Sequence, residues 1–549
     1  MSNEAIVDIF GDIVNGGPVS HIWDNPFLIG FSVRGGLFLH TMSALRSTVL
    51  LTAVSLFSQG VGFVYRVFLS RMVGAEVMGL YQLVLPVSSV LMSLTAVGFT
   101  AACSNLSARY RATGNDKAAH QTLRTCLWGF LVAFGVVVLA VAPFSDAVSV
   151  HLLGDARSRL GLLLLLPCVL LTGIENIHKH FFYGSGNVRP PAFTEIFEPL
   201  IRAGAVLGLL WWFLPQNPER TVGLIVCGMI LCEVFSAAAL TLLYHRFMGR
   251  NCSGEGAPRQ SLVKKILHIS IPIGLTSLLG NLMGAATAVI IPQRLVQTGQ
   301  NVSSAMGDFG ILCGMTLPLL TLPTAFISAM GLVLLPRMAQ SAALGRWERC
   351  RRQANKAVAA AAFLLFPSSA LLAVLAQPLG RLLFREEAAG QFALPLAVAV
   401  ALSGLESVFA ICLNALGKQS LTACHGLICG GVQLLLTWYR MTLPGVGLRG
   451  YVDSLLVSTV LGVVLHWNAL RRVIALRPRL FPWLVGPGLA ALLSGLCARL
   501  LFTVLLSSGL GEGAACLACL LFGILIYLCA MAAQGLLHRP QKAVSPSPV

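Results

Sequence analysis

The chain has 549 residues, of which 56% are hydrophobic and only 11% are charged, and its mean hydropathy is +0.80. Soluble domains carry about 25% charged residues, so this composition excludes a soluble globular protein and indicates a polytopic membrane protein. A net charge of +17 would suggest nucleic-acid binding in a soluble protein. In a membrane protein, basic cytoplasmic loops account for it, and we expect no nucleic-acid partner.

The segment 1–42 is predicted to be an N-terminal extension outside the membrane. It lacks the basic start and short apolar core of a cleavable signal peptide, so it is either a flexible segment or a misassigned start. The rest of the chain divides into an N-lobe at 43–245, an inter-lobe cytoplasmic linker at 246–263, a C-lobe at 264–471, two further helices within 472–538 and a tail at 539–549.

Fourteen apolar segments are long enough to cross a membrane, which takes about 20 residues in a helix. They predict an all-α polytopic membrane protein with helices at approximately 46–70, 78–103, 120–142, 160–183, 193–214, 221–245, 264–292, 309–335, 354–376, 391–415, 419–438, 450–470, 481–505 and 513–536. Most of the 38 Lys and Arg residues lie on the side that would hold both termini. Positively charged loops stay in the cytoplasm, so we expect both termini there.

Two arginines lie where the first span ends. The stretch from Gly60 to Gln82 carries Arg66 near the end of the first apolar run and Arg71 five residues later, before a turn at Gly74. Charges in a span are costly and usually face a protein interior or a watery cavity. Either these arginines face a cleft, or they reach the headgroups at the membrane edge, and the second interpretation suits Arg71 better.

Two sequence matches at one spacing indicate an internal repeat. Gly114 and Gly345 follow helices 2 and 8, Gly186 and Gly417 follow helices 4 and 10, and the same distance along the chain separates the members of each pair. We therefore predict two pseudo-symmetric six-helix lobes in parallel orientation, followed by two extra helices. In transporters built this way, the substrate site lies between the repeats near the bilayer midplane.

Helix 5 carries Glu195, Glu198 and Arg202 at spacings that place them on one helical face. The carboxylates could bind a coupling cation, but pairing of Glu198 with Arg202 is the favoured interpretation, because an unpaired charge in a membrane is expensive. Glu195 is close to the membrane boundary, where water can reach it.

Three further carboxylates, Glu175, Glu233 and Glu406, lie inside apolar segments. Each could pair with a cation from another helix, bind a coupling ion, or form hydrogen bonds in its protonated form. The neighbouring cations His178, Lys179, His180 and Arg189 are interpreted as boundary charges that face anionic lipid rather than as a metal or phosphate site. The scattered cysteines, including Cys516 and Cys519, predict no metal centre.

Three motifs resemble the stage V sporulation protein B branch of the polysaccharide flippases, within the multidrug/oligosaccharidyl-lipid/polysaccharide (MOP) exporter superfamily. They read GFVYRVFLSRMVGAEVMGLYQLVLPV, FFYGSGNVRPPAFTEIFEPLIR and LNALGKQ. The lipid II flippase branch is a looser match, since it carries arginine where this chain has Gln59 and Tyr65. The resemblance implies the MATE/MOP-like fold, with two lobes around a central cavity.

The resemblance also implies a function. We expect a flippase of undecaprenyl-pyrophosphate-linked saccharides, lipid II among the candidates, that works by alternating access as a monomer in the bacterial plasma membrane. Arg66, Arg71 and Arg202 are the expected pyrophosphate ligands, because arginine can grip phosphate with two parallel hydrogen bonds. No cofactor is expected, apart from a coupling ion, Na⁺ or H⁺, or the membrane potential as driving force.

Three alternatives remain open at this point. A cation-coupled multidrug antiporter of the same superfamily typically has twelve helices, not fourteen. A non-transporting scaffold for envelope assembly would have no flipping activity. An integral-membrane transferase would need metal-binding motifs on a sizeable loop, and the sequence shows neither these nor another enzyme signature, so we expect no enzyme.

Overall fold

The computed structural model describes residues 37–248, 254–477, 479 and 481–536, with side chains from residue 52 onward. The segment 1–36 of the predicted extension and the predicted tail lie outside the described residues. Every regular element within the described ranges is helical, and fourteen helical segments are long and apolar enough to cross a membrane. The predicted all-α membrane fold is confirmed.

The described part of the N-lobe contains six long helices, with three short helical elements between Ser145 and Ser158. Gly74, with φ 77°, breaks a 59-residue helical run into two helices, because this left-handed conformation is open to glycine and costly for other residues. The helices are α1 (37–73), α2 (75–95, continuing as Val97–Ala112), α3 (Asp116–Val141), α4 (Arg159–Gly184), α5 (Arg189–Phe213) and α6 (Pro218–Met248).

The C-lobe repeats this arrangement. Its helices are α7 (Arg259–Gln297), α8 (Val302–Thr321, continuing as Thr324–Ala343), α9 (Trp347–Val374), α10 (Ala393–Ala415), α11 (Gln419–Arg440) and α12 (Arg449–Ile474), with a short helix at Ala376–Phe384 after α9. The last two helices, α13 (Phe481–Ser507) and α14 (Glu512–Ala533), pack against each other and against α9.

Helices α2 and α8 are longer than predicted and each is broken near its middle, α2 at Ala96 and α8 at Leu322 and Pro323. The prediction followed the apolar window alone, whereas the helices continue into polar residues until a glycine ends them. Judged by length and hydropathy, the two halves of α8 count as two membrane-spanning segments, whereas α1 and the first part of α2 count together as one. The number of spanning segments in the described ranges therefore remains fourteen.

The repeat glycines have matching backbone conformations. Gly114 and Gly345 have φ 72° and 66°, while Gly186 and Gly417 both have φ 75°. After each of these four glycines, the amide of the next residue donates a hydrogen bond to the carbonyl five residues before it, as Asn187 donates to Phe182. This is the hydrogen bond of a Schellman cap, which satisfies a free carbonyl at the helix end. The two lobes therefore share their helix ends as well as their helix order.

The lobes meet over the turn between α1 and α2, which we call the Gly74 side. A Cβ at Gly79 of α2 would overlap the Met306 carbonyl, and one at Gly310 of α8 would overlap the Ala75 carbonyl. The helix backbones touch here, and a large buried apolar cluster from both lobes surrounds the contact. The opposite side, where Gly114 and Gly345 end their helices, we call the Gly114 side.

Candidate functional site

Five charged side chains from three helices of the N-lobe form one network. Lys179 of α4 lies 2.6 Å from a Glu175 oxygen on its own helix and 3.0 Å from a Glu198 oxygen on α5. Arg202 of α5 contacts the other Glu198 oxygen at 2.7 Å and reaches Glu233 of α6 at 3.0 Å. We call these five residues the N-lobe charge network.

Burial explains why each carboxylate of the network contacts a cation. The side chains of Glu175 and Glu233 are 2% and 4% exposed, and a charge left unpaired at such positions would cost several kcal/mol. The predicted pairing of Glu198 with Arg202 is confirmed. The network holds three carboxylates and two cations, so its own cations leave one negative charge unbalanced.

The interpretation of Lys179 as a lipid-facing boundary charge is wrong. Its side chain is only 12% exposed and its ammonium group binds two carboxylates. Its position near the end of α4 suggested the boundary, but it lies one turn after Glu175, and the packing of α4 against α5 brings Glu198 within reach. The spacing of four residues between Glu175 and Lys179 was the available signal.

Arg66 lies beside this network at the lobe interface. It is half-buried on α1 and interacts electrostatically with the Tyr81 hydroxyl on α2 and with the Cys313 thiol on α8 of the other lobe. Among the described residues it forms no ion pair or hydrogen bond. One turn earlier, a Cβ at Gly62 would meet no described atom within 4 Å, so α1 borders open space near Arg66.

Arg71 has a different environment on the Gly74 side. Its guanidinium donates to the carbonyls of Leu382 and Leu383, the latter at 2.6 Å, at the carboxyl end of the short helix Ala376–Phe384. A helix carboxyl end carries partial negative charge and unpaired carbonyls, which suit a cation. Phe63 and Phe384 pack edge to face beside it at 6.4 Å. Arg71 thus joins the two lobes.

The remaining predicted carboxylates do not enter the network. Glu195 accepts a hydrogen bond from the Tyr183 hydroxyl at 2.7 Å, and its carbonyl accepts one from Ser58 of α1. Glu406 of α10 lies in the C-lobe, 3.6 Å from Nδ1 of His466 on α12. In the described part of the chain, no group of three or more His, Cys, Asp or Glu side chains is arranged to hold a metal ion.

Comparison with known proteins identifies the family. Residues 44–342, more than half of the chain, match the family model described as polysaccharide biosynthesis protein. The chain belongs to the polysaccharide biosynthesis protein family.

Two curated relatives of this family member come from Bacillus subtilis (strain 168). Stage V sporulation protein B is 24% identical over 444 residues, which cover 78% of this chain and 84% of that protein. Lipid II flippase MurJ is 22% identical over 359 residues, which cover 61% of this chain and 64% of that protein. Both matches extend well beyond the short motifs.

Solved structures show the same fold. A structure of lipid II flippase MurJ in an inward closed conformation has a TM-score of 0.68 at 13% identity, covering 89% of this chain and all of that one. An inward-facing multidrug resistance MATE family transporter of the MOP superfamily has a TM-score of 0.64 at 14% identity, covering 79% of this chain and 98% of that one. This polysaccharide biosynthesis protein family member therefore has the MOP-superfamily transporter fold.

In this family member, the three arginines predicted as pyrophosphate ligands fall into three separate places. Among the described residues, Arg66 lies between the lobes without a partner, Arg202 is held in the N-lobe charge network, and Arg71 bridges the lobes at the Gly74 side. Lys179 as a network member and His466 as the neighbour of Glu406 were not predicted from the sequence. The guanidinium of Arg66 is free to bind an anion, whereas the guanidinium of Arg202 is already bound by carboxylates.

Proposed function

We propose that this protein translocates undecaprenyl-pyrophosphate-linked saccharides across the bacterial plasma membrane by alternating access, with Arg66 as the main pyrophosphate ligand. The observation that carries the proposal is a contrast within the described residues, between Arg66, unpaired at the lobe interface, and Arg202 beside it, held by Glu198 and Glu233. A pyrophosphate brings at least two negative charges, and a free guanidinium can bind it through two parallel hydrogen bonds.

The N-lobe charge network sets the strength of this site. Arg66 supplies the third positive charge near three carboxylates, so the region is close to neutral without cargo. An anionic headgroup on Arg66 restores the excess negative charge. Binding is then firm enough to capture the headgroup and weak enough to release it, which a transporter requires. We propose that Arg202 acts on cargo through this field, and that Arg71 closes the Gly74 side.

Several features support a lipid-linked cargo. The relatives include a protein named for flipping lipid II and a sporulation protein, and the family model is described by polysaccharide biosynthesis. We propose that the polyprenyl tail stays in lipid, beside α13 and α14. We further propose the domain boundaries 43–245 and 264–471 for the two moving lobes, cytoplasmic termini, a monomeric protein without enzyme activity, and a driving force from Na⁺, H⁺ or the membrane potential.

The test is lipid flipping in proteoliposomes with a panel of polyprenyl-pyrophosphate saccharides, lipid II included, with and without a membrane potential. Arg66→Ala should slow flipping about 30-fold or more, the equivalent of about 2 kcal/mol for a lost hydrogen-bonded charge. Arg66→Lys should retain part of the rate, since it keeps the charge and loses the fork. Arg349→Ala, exposed in the first turn of α9, is the matched control and should flip normally.

Wild-type flipping by Arg66→Ala would remove Arg66 as a ligand. Absence of flipping by the wild-type protein for every saccharide in the panel, together with export of organic cations, would favour the multidrug antiporter instead.

A further inference from the structure

A second group of titratable side chains lies inside the C-lobe, on three different helices. Glu406 of α10 lies 3.6 Å from Nδ1 of His466 on α12, and the His466 ring packs edge to face against His425 of α11 at 4.9 Å between centroids. A Cβ at Gly462 would overlap the Glu406 carboxyl group, so this glycine provides the space in which the carboxyl lies against α12.

The hydrogen bonds of His466 identify the nitrogen that can take up a proton. Nδ1 lies 2.8 Å from the Gly462 carbonyl, and because a carbonyl only accepts, Nδ1 carries the hydrogen. Nε2 is then the basic nitrogen, and among the described residues it is buried without a hydrogen-bond partner, as is Nδ1 of His425. The His466 side chain is 3% exposed, so its ring lies away from the bulk solvent.

The described elements around Glu406 supply it with no permanent cation. From α12 it faces His466, and from α11 Cys429 interacts with it electrostatically, while His425 packs against the His466 ring. No charged group in the described parts of α8 or α9 interacts electrostatically with its carboxyl group. Only a proton on one of the histidines, or on Glu406 itself, can make this group neutral. The other charged residues of α11, α12 and the turns beside them lie at the helix ends, exposed (Lys418, Arg449, Arg471, Arg472) or paired (Arg440 with Asp453).

Comparison with the N-lobe shows which charge the C-lobe lacks beside its buried carboxylate. Glu406 follows Glu175 at the same spacing that relates the repeat glycines, but the position equivalent to Lys179 is occupied by Ala410. The positions equivalent to Glu198 and Arg202 hold Cys429 and Gln433. The C-lobe therefore keeps the buried carboxylate and lacks the fixed positive charge beside it, with histidines in its place.

We propose that Glu406, His466 and His425 form a proton-binding site in the C-lobe, which takes up one proton and so changes from net charge −1 to neutral. In the loaded state, either a His466 imidazolium pairs with the Glu406 carboxylate or the proton resides on the carboxyl group. Both forms avoid an unbalanced charge inside the membrane, which is costly. Binding of the proton does not depend on the cargo, whereas its use to drive flipping rests on the proposed function.

The test is infrared spectroscopy of the carboxyl C=O band and the histidine ring bands, which together report a proton on Glu406 or on a histidine, on the full chain reconstituted in phosphatidylcholine vesicles without cargo. Between about pH 8 and pH 5, where exposed carboxyls stay ionised and histidine titrates, wild type should take up one proton in this group. Glu406→Gln should abolish the change. Ala410→Lys, which installs the permanent cation of the N-lobe, should also abolish it, while the uncharged Ala410→Gln should leave it in place.

Asp453→Asn is the matched carboxyl control, because Asp453 lies in the same lobe and is paired with Arg440 at 2.6 Å. His466→Gln should shift the midpoint by about one pH unit. A wild-type protein without a titrating group in this range, or a signal that persists in Glu406→Gln, would overturn the site. Circular dichroism of the helices identifies any variant that fails to fold. Because Glu406→Gln and Ala410→Lys change different residues, one of them still tests the site if the other does not fold.

A second measurement separates the site from its use. In proteoliposomes that flip cargo, an imposed pH gradient should change the wild-type rate severalfold and leave the Ala410→Lys rate unaffected. Equal response of both proteins would overturn coupling through this site. If the carboxyl or histidine bands show uptake of the proton but no saccharide is flipped, the proton site stands and the proposed function fails.

Discussion

Glu175 and Glu406 occupy equivalent positions in the two lobes, on α4 and α10, yet their surroundings differ in kind. Glu175 is 2% exposed and bound to Lys179, within a network that continues to Glu198, Arg202 and Glu233. Glu406 is 23% exposed and has a histidine as its nearest basic group among the described residues. One lobe neutralises its buried carboxylate with fixed charge and the other with groups that can gain and lose a proton.

This contrast shows which parts of a repeat tolerate divergence. Gly186 and Gly417 have the same φ value and the same cap, because the turn after α4 or α10 needs a left-handed residue. The side chains between the helices obey no such backbone requirement. As long as each buried charge is balanced, the two lobes can balance it by different chemistry, and therefore serve different purposes.

The largest difference between the two lobes is expected from Arg202→Ala. It removes the cation that Glu233 contacts and leaves Glu198 with Lys179 alone, and loss of one partner from a buried pair costs about 3 kcal/mol. Gln433→Ala, at the equivalent C-lobe position, should cost less than about 1 kcal/mol. Denaturant unfolding in mixed micelles measures both. Equal losses would show that the N-lobe charge network does not stabilise its lobe.

A smaller effect is expected from Lys179→Ala, which gives α4 the residue that α10 has at Ala410. Loss of the cation should destabilise the N-lobe by about 2 kcal/mol, since Glu198 keeps Arg202. Glu175 should then take up a proton as the pH falls, visible as a second carboxyl C=O band. Lys179→Arg serves as the control that keeps the charge. A variant without a new band would mean that Arg202 or another cation compensates.

The space around Glu406 gives the next prediction. Gly462 stands where the N-lobe has Leu231, whose side chain is exposed on α6. Gly462→Ala should displace the Glu406 carboxyl group from His466 and cost about 1.5 kcal/mol through overpacking. Gly426→Ala on α11, where a Cβ meets no described atom within 4 Å, is the matched control. An unchanged midpoint of proton uptake in Gly462→Ala would argue against the contact with His466.

The smallest effect is expected at the glycine helix caps that the two lobes share. Gly186→Ala and Gly417→Ala should each cost about 1 kcal/mol, because both place a Cβ in the left-handed conformation and neither Cβ meets a neighbouring atom of the described residues. The two losses should agree to within about 0.5 kcal/mol in the same unfolding measurement. Losses that differ by more would show that the equivalence is limited to backbone geometry.

The sequence predicts most of this fold, because apolar windows locate spans and glycines mark their ends. Gly74, Gly114 and Gly345 all lie where a turn was expected. The breaks at Ala96 and Leu322 were not predicted. The second break lies at Pro323, which lacks the backbone amide hydrogen that a continuous helix needs, but the place of a proline does not say how far the helix continues.

The candidate site was less predictable than the fold. Pairing of Glu198 with Arg202 follows from their spacing on one helix, whereas the contact of Lys179 with Glu198 depends on how α4 packs against α5. The proximity of His466 to Glu406 depends likewise on α10 and α12. Glu175 and Glu406 are as far apart in the sequence as the members of each repeat glycine pair. This spacing is visible in the sequence and identifies the two carboxylates as counterparts.

The contact between Gly79 and Gly310 has a mechanical consequence. Because the two helix backbones touch directly at these glycines, the contact can act as a fulcrum for rotation of one lobe against the other. Helix α2 extends from this contact toward the Gly114 side, and its full run over 75–112 is about 57 Å long. From Gly79 to Ala112 this lever is about 50 Å long, so a rotation of about 10° at the contact would displace its far end by about 9 Å. A small rotation at two glycines would thereby be amplified into a large displacement at the Gly114 side.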